Sequence, residues 1–415
     1  MEVSKKMKKT LSLLLGGAIL LGTLTGCGSD TPVSSAEKEP EIIREHTQFD
    51  DYVSNTVIAT GNNTIVKEAE KITYRAYFLL EEYGSAEYCF YFSNTVDSTW
   101  DKGKKSYGSM PGGNYEILSA SISDGGTKVD ETAPVTNTTA VTFGGQTGKS
   151  VAPGEAFWSD PVDFTIEEGH YLVWEWTVTG TTIPAIVMSG MTNCFYSNGG
   201  GFIYCNEAPL PALIGCNRDV KGKVAFIGDS ITQGCETTNF AYEFWVAEIA
   251  KQIQDDYAVW NLGLGYARAS DAAKKSNWLE RAKAYETVVV AFGTNDIYSG
   301  AYGGDGPDTS AEAEASIRTI VTELKNAGCN VILFNSPPYG FVDDREVQRT
   351  GLNALLPTTA EETGCAFFDM AALLADPSDA SVPLYGGHPN DEGCQIIADK
   401  FLETYGTMFA SETAE

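Results

Sequence analysis

The hydrophobic pattern of this chain changes near residue 217, and that change limits the fold more than any other feature. Between residues 50 and 216, short segments alternate apolar and polar residues and are separated by Gly, Asn, Asp and Pro. This half therefore predicts a jelly-roll-like β-sandwich domain over residues 48–216. In "HYLVWEWTVTG" one strand face carries Leu172, Trp174, Trp176 and Val178.

After Lys221 apolar strands alternate with helical segments. Strands without a polar face are typical of parallel sheets that helices cover on both sides. We therefore expect a three-layer α/β/α domain with a flavodoxin-like parallel sheet over residues 221–410, and ligand binding beyond the carboxyl ends of its strands. The predicted strands lie in "VAFIGDS", "AVWNLGL", "TVVVAFGTND", "NVILFNSPP" and "CAFFDMA". One predicted helix has the apolar stripe Tyr242, Trp245, Val246, Ile249 and Ile253, and another has a capping box of Thr309 and Glu312.

The first residues of the chain predict export. A lysine cluster precedes the apolar run Leu11–Leu24, which is too short for a confident membrane span and fits a signal peptide over residues 1–26. The run ends in Leu-Thr-Gly-Cys, which resembles the lipobox of bacterial lipoproteins and implies lipidation of Cys27. Residues 27–47 are polar and predict a flexible tether. We therefore expect a protein anchored by lipid on the extracellular face of the bacterial cell membrane.

Charge and cysteine content exclude several classes of partner. The formal net charge of -28 disfavours nucleic acid and anionic membrane surfaces, so membrane contact is expected through the lipid anchor only. No C-x-x-C pair exists among the nine cysteines, which disfavours a zinc site. Export permits a disulfide between Cys194 and Cys205 across a Gly-rich turn, and buried free thiols are the alternative.

The segment "KVAFIGDSITQGC" places Ser230 directly after a predicted buried strand. Two roles are compatible with that position. Ser230 either caps the following helix, which is a common use of serine, or is a nucleophile at the mouth of the sheet. An unassisted serine hydroxyl is a poor nucleophile and needs a base, and of the three histidines, His46, His170 and His388, only His388 lies in the C-terminal half.

Four short segments follow the predicted strands in order: "GDS", "NLGLGYAR", "GTND" and "HPND". Over residues 222–408 the chain resembles the SGNH, or GDSL-type, hydrolase family. The resemblance implies an ester hydrolase that uses an acyl-enzyme and needs no metal or cofactor. It implies Ser230 as nucleophile and His388 as base, with an oxyanion hole formed by the Ser230 amide, Gly265 and the Asn295 side chain. Asp229 and Asp296 are expected to organise their loops.

Two positions depart from the family pattern. The usual oxyanion glycine falls on Tyr266, so the backbone amide comes from Gly265 or Tyr266, with Gly265 favoured because glycine tolerates a tight turn. The usual acid, three residues before the histidine, falls on Tyr385. We expect a backbone carbonyl to orient His388 in a Ser-His dyad, and the alternatives are the carboxylates of Asp376 and Asp379.

The favoured substrate is a carbohydrate ester, acetylated for preference, presented as a small molecule or a polysaccharide. A β domain before such a hydrolase is similar to modules that accompany glycan-active enzymes, and "VTFGG" and "FWSDPVDFTI" also resemble a β domain that precedes some hydrolases of the family. Trp100 and Trp158 are candidates for stacking on sugar rings, although core packing is the commoner role. The alternatives are a catalytically impaired glycan-binding lipoprotein and a lipase or lysophospholipase, which the Gly- and Asp-rich loop after "GTND" disfavours.

Overall fold

A computed structural model describes residues 44–100, 106–300 and 309–409. The predicted signal peptide, the lipobox at Cys27 and most of the predicted tether lie outside these ranges. The last tether residues are described, and there the Arg44 guanidinium bonds to the Lys283 carbonyl while Thr47 precedes the first helix, α1 (Gln48–Asp51). The chain therefore packs against the folded body a few residues before the predicted end of the tether.

In the N-terminal part, residues 53–216, every strand pair among the described residues is antiparallel, and this part is called the antiparallel half below. Short strands joined by turns follow from the alternating pattern of the sequence. The strands are β1 (Val53–Ser54), β2 (Thr64–Phe78), β3 (Gly84–Ser93), β4 (Thr95–Trp100), β5 (Ser106–Pro111), β6 (Tyr115–Asp124), β7 (Thr136–Val141), β8 (Lys149–Val151), β9 (Ala156–Trp158), β10 (Val162–Ile166), β11 (Leu172–Val187), β12 (Cys194–Ser197), β13 (Ile203–Tyr204), β14 (Glu207–Ala208) and β15 (Leu213–Cys216).

Two larger sheets organise this half. One has the order β1-β15-β3-β10, with β9 also paired to β3. The other has the order β13-β12-β2-β11-β6-β7, with β14 on β11 and β8 on β6. Strands β4 and β5 form a separate hairpin. The predicted face of β11 is buried as expected, since Trp174 and Trp176 are each at most 2% exposed and the Trp174 ring lies 4.7 Å from that of Phe90.

The C-terminal part, residues 222–409, is built on one parallel sheet and is called the parallel half below. Its main strands are β16 (Gly222–Gly228), β17 (Tyr257–Gly263), β18 (Thr287–Ala291), β19 (Asn330–Phe334) and β20 (Ala366–Phe368), followed by the short hairpin β21 (Ala375–Asp376) and β22 (Asp379–Pro383). Its helices are α2 (Ser230–Gln233), α3 (Trp245–Ile253), α4 (Ala269–Ala272), α5 (Asn277–Lys283), α6 (Thr294–Gly300), α7 (Ser310–Asn326), α8 (Asp344–Thr363), α9 (Met370–Leu374) and α10 (Asp391–Tyr405), with a final 3-10 turn at Gly406–Met408.

The order of the parallel sheet is β17-β16-β18-β19-β20. The first strand, β16, is therefore flanked by the second and third, and the chain reverses its direction of progress across the sheet at that point. Ligands of open parallel sheets bind beyond the carboxyl ends of the strands at such a reversal. The carboxyl ends of β16, β17 and β18 meet there, because Gly228 is in register with both Gly263 and Ala291.

The two helices discussed in the sequence analysis form as predicted, except at the start of α3. Helix α3 begins at Trp245, and Tyr242 lies before it with φ of +57°, so the predicted stripe starts three residues too early. Tyr242 is nevertheless buried and its hydroxyl accepts the Leu79 N–H at 3.1 Å. Thr309 caps α7 as predicted, since its side chain accepts the Glu312 N–H.

The two halves share one hydrophobic core, and residues 42–415 form a single unit. Buried polar contacts also join them. The Arg281 guanidinium in α5 lies 2.6 Å from the Asp97 carboxylate in β4, with both side chains at most 1% exposed. Each charge is out of water and depends on the other. The domain boundaries at residues 216 and 221 therefore remain predictions from the change in sequence pattern. The hydrophobic core itself is continuous across them.

Trp158 is a core contact. Its ring lies 4.9 Å from that of Phe49 and 5.2 Å from that of Tyr91. The Trp158 side chain is partly buried, and these contacts support core packing over stacking on a sugar ring. The Trp100 side chain lies outside what the structure describes.

Cys194 and Cys205 face each other across β12 and β13, as the sequence suggested. The Cys205 N–H donates to the Cys194 carbonyl at 2.9 Å, and burial together with the neighbouring Cys205 thiol raises the pKa of Cys194. Both are free thiols, as are the other six described cysteines. In the described ranges no helix has the length and apolarity needed to cross a membrane.

We expect Arg281→Met to lower the free energy of unfolding by about 3–5 kcal/mol, because it leaves the Asp97 carboxylate buried without its partner. Lys283→Met is the matched control in the same helix. Lys283 pairs with the more exposed Glu280 and Glu323, so its loss should cost about 0–1 kcal/mol. Equilibrium urea unfolding measures both values, and equal losses for the two variants would contradict the role assigned to the buried pair.

Candidate active site

Ser230 is the first residue of α2 and follows the carboxyl end of β16. The helix cap is Asp229, whose carboxylate accepts the Ile231 N–H at 2.9 Å. Of the two roles that the sequence left open, capping is thus performed by Asp229. Ser230 is half-buried, and its hydroxyl is directed elsewhere.

Helix α2 packs very closely on the end of β17. A Cβ atom added at Gly263 would lie 2.3 Å from the Gln233 backbone nitrogen. Only glycine fits there without moving the helix. The glycine of "NLGLGYAR" at this position therefore holds the turn that carries Ser230 against the sheet.

His388 lies in the loop before α10, and its Nε2 is 2.7 Å from Ser230 Oγ. This is the hydrogen-bond distance that a serine nucleophile and its base require. Asn390 fixes the loop by capping α10, where its side chain accepts the Gly393 N–H at 3.0 Å. The structure thus brings together two residues that are 158 positions apart in the sequence.

The other imidazole nitrogen faces a carboxylate that no sequence motif predicts. Glu236 Oε1 lies 3.4 Å from His388 Nδ1, and the Glu236 side chain is 69% exposed. Glu236 follows α2 with φ of +71°, a left-handed conformation that turns the chain back towards the histidine loop. Two residues later, the Thr238 N–H donates to Asp391 at 2.7 Å, which ties this turn to the start of α10.

The expected ways of orienting His388 are wrong in this structure. Asp376 bonds to Ser378 and Asp379 bonds to Ser381, so both carboxylates serve the turn between β21 and β22. The Tyr385 carbonyl accepts the Asn390 N–H at 2.9 Å. Among the described residues the group placed at His388 Nδ1 is Glu236, and not a backbone carbonyl.

The protonation state of His388 suits a base. Burial lowers its pKa below the ordinary value, and the Glu236 carboxylate opposes that shift, with burial the larger effect. The Tyr339 ring, 5.5 Å from the imidazole and roughly perpendicular to it, is part of the apolar surroundings. His388 is consequently neutral at pH 7 and able to accept a proton from Ser230.

Asn295 lies at the start of α6, after the carboxyl end of β18, and is buried. Its Nδ2 donates to the Ala267 carbonyl at 3.0 Å. The amide nitrogen carries two hydrogens, and this bond uses one of them. The bond fixes the plane of the side chain, and it thereby also fixes the direction of the second N–H.

The expectation for Gly265 disagrees with the structure. Its N–H donates to the Gln233 side-chain oxygen at 2.6 Å, in a buried contact, and is not directed to the space beside Ser230. The alternative residue, Tyr266, has φ of +66° and a side chain that is 51% exposed.

Two buried aspartates organise the same region. Asp296 accepts the Ala269 and Ser270 N–H groups at 2.9 and 3.2 Å, and burial raises its pKa to about 6. Burial also raises the pKa of Asp229, to about 7, against the bond from Ile231. Both residues therefore hold loops through backbone amides, as the sequence analysis expected.

Residues 226–396 match the sequence profile of the GDSL-like Lipase/Acylhydrolase family. Over these residues, the parallel half is similar to this family. The match spans β16 with its serine turn and extends through His388 into α10.

Three solved structures that resemble the chain each cover less than half of it. A G-D-S-L family lipolytic protein from Desulfitobacterium hafniense DCB-2 is 21% identical, with a TM-score of 0.37, over 46% of this chain and 99% of that one. An acetylxylan esterase from Geobacillus stearothermophilus, solved as a catalytic mutant, is 22% identical, with a TM-score of 0.37, over 46% and 96%. A G-D-S-L family protein from Veillonella parvula DSM 2008 is 20% identical, with a TM-score of 0.38, over 44% and 98%. No curated protein matches the chain.

We expect Glu236→Gln to lower kcat only about two- to fivefold, because an exposed ion pair contributes about 0.2–1 kcal/mol. Removing the carboxylate also removes the effect that raises the His388 pKa. The acidic limb of the kcat/KM profile, where His388 loses its proton, should therefore move to lower pH. The pH dependence of aryl acetate hydrolysis measures this shift.

Glu392→Gln is the control, because it removes the same charge from an exposed residue near the start of α10. We expect this variant to leave the limb in place. If the acidic limb of the kcat/KM profile stays at the same pH in Glu236→Gln, or moves equally in both variants, Glu236 does not act on the imidazole.

Proposed function

We propose that this protein is a serine ester hydrolase that works through an acyl-enzyme. The observation that carries the proposal is the 2.7 Å contact between Ser230 Oγ and His388 Nε2 at the carboxyl edge of the parallel sheet. His388 takes the hydroxyl proton as Oγ attacks the ester carbonyl carbon. The same proton then goes to the departing alcohol, and water releases the acyl group from Ser230 by the reverse sequence of proton transfers.

The tetrahedral oxyanion is stabilised by the Ser230 amide at the start of α2, by the second N–H of Asn295, and by the backbone of Tyr266 in place of Gly265. Preorganised donors of this kind contribute a few kcal/mol each to catalysis. Glu236 has the position of a triad acid at His388 Nδ1. Because it is exposed, it orients the imidazole more than it stabilises the imidazolium.

For the substrate we propose an acetylated carbohydrate. The Tyr339 ring lies 5.5 Å from the His388 ring and 5.9 Å from the Tyr298 ring, and both tyrosines are partly buried. Flat rings with polar edges suit a sugar ester better than an acyl chain. The intact Ser-His contact favours an enzyme over the impaired glycan-binding lipoprotein.

The finer architecture belongs to the same proposal. The sheet order β17-β16-β18-β19-β20 supports a flavodoxin-like, three-layer hydrolase domain. The two antiparallel sheets with a common core support a β-sandwich ahead of it.

Ser230→Ala should reduce ester hydrolysis by about 10³-fold or more, since the nucleophile is lost, and should leave the fold intact. Ser310→Ala is the matched control, because Ser310 is also a half-buried serine at the first position of a helix. The measurement is turnover of an aryl acetate and of acetylated xylan, with circular dichroism for folding. Activity retained by a folded Ser230→Ala protein would overturn the proposal.

We further propose that Cys27 is lipidated and holds the enzyme on the extracellular face of the membrane. The support is the lipobox Leu24-Thr25-Gly26-Cys27 after a basic and then an apolar segment. In a bacterial host, Cys27→Ala should move the protein from the membrane fraction to the soluble fraction. Cys205→Ala, which removes a cysteine far from the lipobox, should not change its location, and unchanged partitioning of Cys27→Ala would refute the anchor.

A further inference from the structure

The loop after β17, residues 264–267, is held by residues from outside it. The Gly265 N–H donates to the Gln233 side-chain oxygen at 2.6 Å, and the Gly265 carbonyl accepts the Asn63 side-chain nitrogen at 3.0 Å. Gln233 lies in α2, three residues after the nucleophile. Asn63 directly precedes β2 and belongs to the antiparallel half. Both backbone polar groups of Gly265, the N–H and the carbonyl, are thus held by side chains from outside the loop.

Val187, the last residue of β11, closes these bonds into a ring. Its N–H donates to the Asn63 side-chain oxygen at 2.8 Å, and its carbonyl accepts the Gln233 side-chain nitrogen at 2.8 Å. Each side-chain amide therefore faces one backbone donor and one backbone acceptor, so its orientation is fixed by chemistry. Asn63 and Gln233 are at most 2% exposed, and a broken bond there leaves buried polar groups unpaired.

The ring is connected to the candidate oxyanion donor. Two residues beyond Gly265, the Ala267 carbonyl accepts the Asn295 side-chain nitrogen. The position of the Ala267 carbonyl depends on the path of the loop, and hydrogen bonds fix that path at Gly265. The connection therefore runs from Asn63 through Gly265 and Ala267 to Asn295.

We propose that Asn63 and Gln233 are positioning residues for ester hydrolysis, and that the antiparallel half thereby completes the oxyanion side of the active site. The inference rests on the proposed function. In this proposal Asn63 acts through the loop on the oxyanion, a charge that develops only in the transition state. Substrate affinity should therefore change little when Asn63 is lost, while turnover falls.

Asn62 provides a matched control. It is also an asparagine at 2% exposure, and its side-chain nitrogen donates to the Ser93 and Thr95 carbonyls, both at 2.9 Å. These bonds remain within the antiparallel half. Replacing Asn62 removes as much buried hydrogen bonding as replacing Asn63, without touching the loop.

The experiment compares Asn63→Ala and Asn62→Ala for kcat and KM on an aryl acetate and for thermal stability. We expect Asn63→Ala to lower kcat about 10- to 100-fold, as misplacement of a catalytic group does, with KM within about twofold. Asn62→Ala should lose stability but less than about threefold in kcat. Asn63→Asp, which keeps the size and the acceptor for Val187, is a second variant in case Asn63→Ala does not fold.

Equal loss of kcat in the Asn62 and Asn63 variants, or full kcat in folded Asn63 variants, would overturn the inference. Hydrogen exchange gives a readout that needs no activity. The backbone amides of residues 264–267 should exchange faster in Asn63→Ala and not in Asn62→Ala, and unchanged exchange in both would also overturn it. Failure of the proposed function is distinguishable, because it would appear as activity that survives Ser230→Ala.

Discussion

The buried polar contacts between the antiparallel and parallel halves are the constraint on which the rest of the structure depends. Apolar packing alone would hold two surfaces together without fixing their relative position to within a fraction of an ångström. The Asp97–Arg281 pair and the hydrogen-bonded ring at Gly265 supply directional contacts between buried groups. Such contacts are costly if they are incomplete, so they select one arrangement of the halves.

The charges around Ser230 divide into two kinds. Asp229 and Asp296 are buried, and their raised pKa values mean that ionisation works against folding. For Asp229, the stabilisation by the bound proton is full below the unfolded pKa of about 4 and is lost as pH rises through about 7. Its value to the protein is therefore geometric, since it caps the turn that carries the nucleophile. Glu236 is the opposite case, an exposed carboxylate that affects the imidazole at little cost in desolvation.

The sequence predicted those parts of the site that depend on local pattern. All five parallel strands follow from apolar runs, and His388 follows from elimination among three histidines as well as from its motif. Glu236 was missed because its role depends on its own left-handed conformation, three residues after α2 ends, and nothing in the spacing marks an acid there. The one available signal is its place six residues after Ser230, in a turn that must leave the helix near the active-site edge.

Gly265 shows a second limit of sequence reasoning. A glycine in the right block is compatible with an oxyanion amide, but it is equally compatible with close approach by other side chains. A Cβ atom there would lie 3.0 Å from the Gln233 side-chain oxygen and 3.3 Å from the Asn63 side-chain nitrogen. Asn63 lies 202 residues away in a segment of different pattern, and no local rule links it to this loop. The antiparallel half is thus better understood as part of the catalytic framework than as an attached module, since the loop that orients Asn295 has its hydrogen-bond partners in both halves.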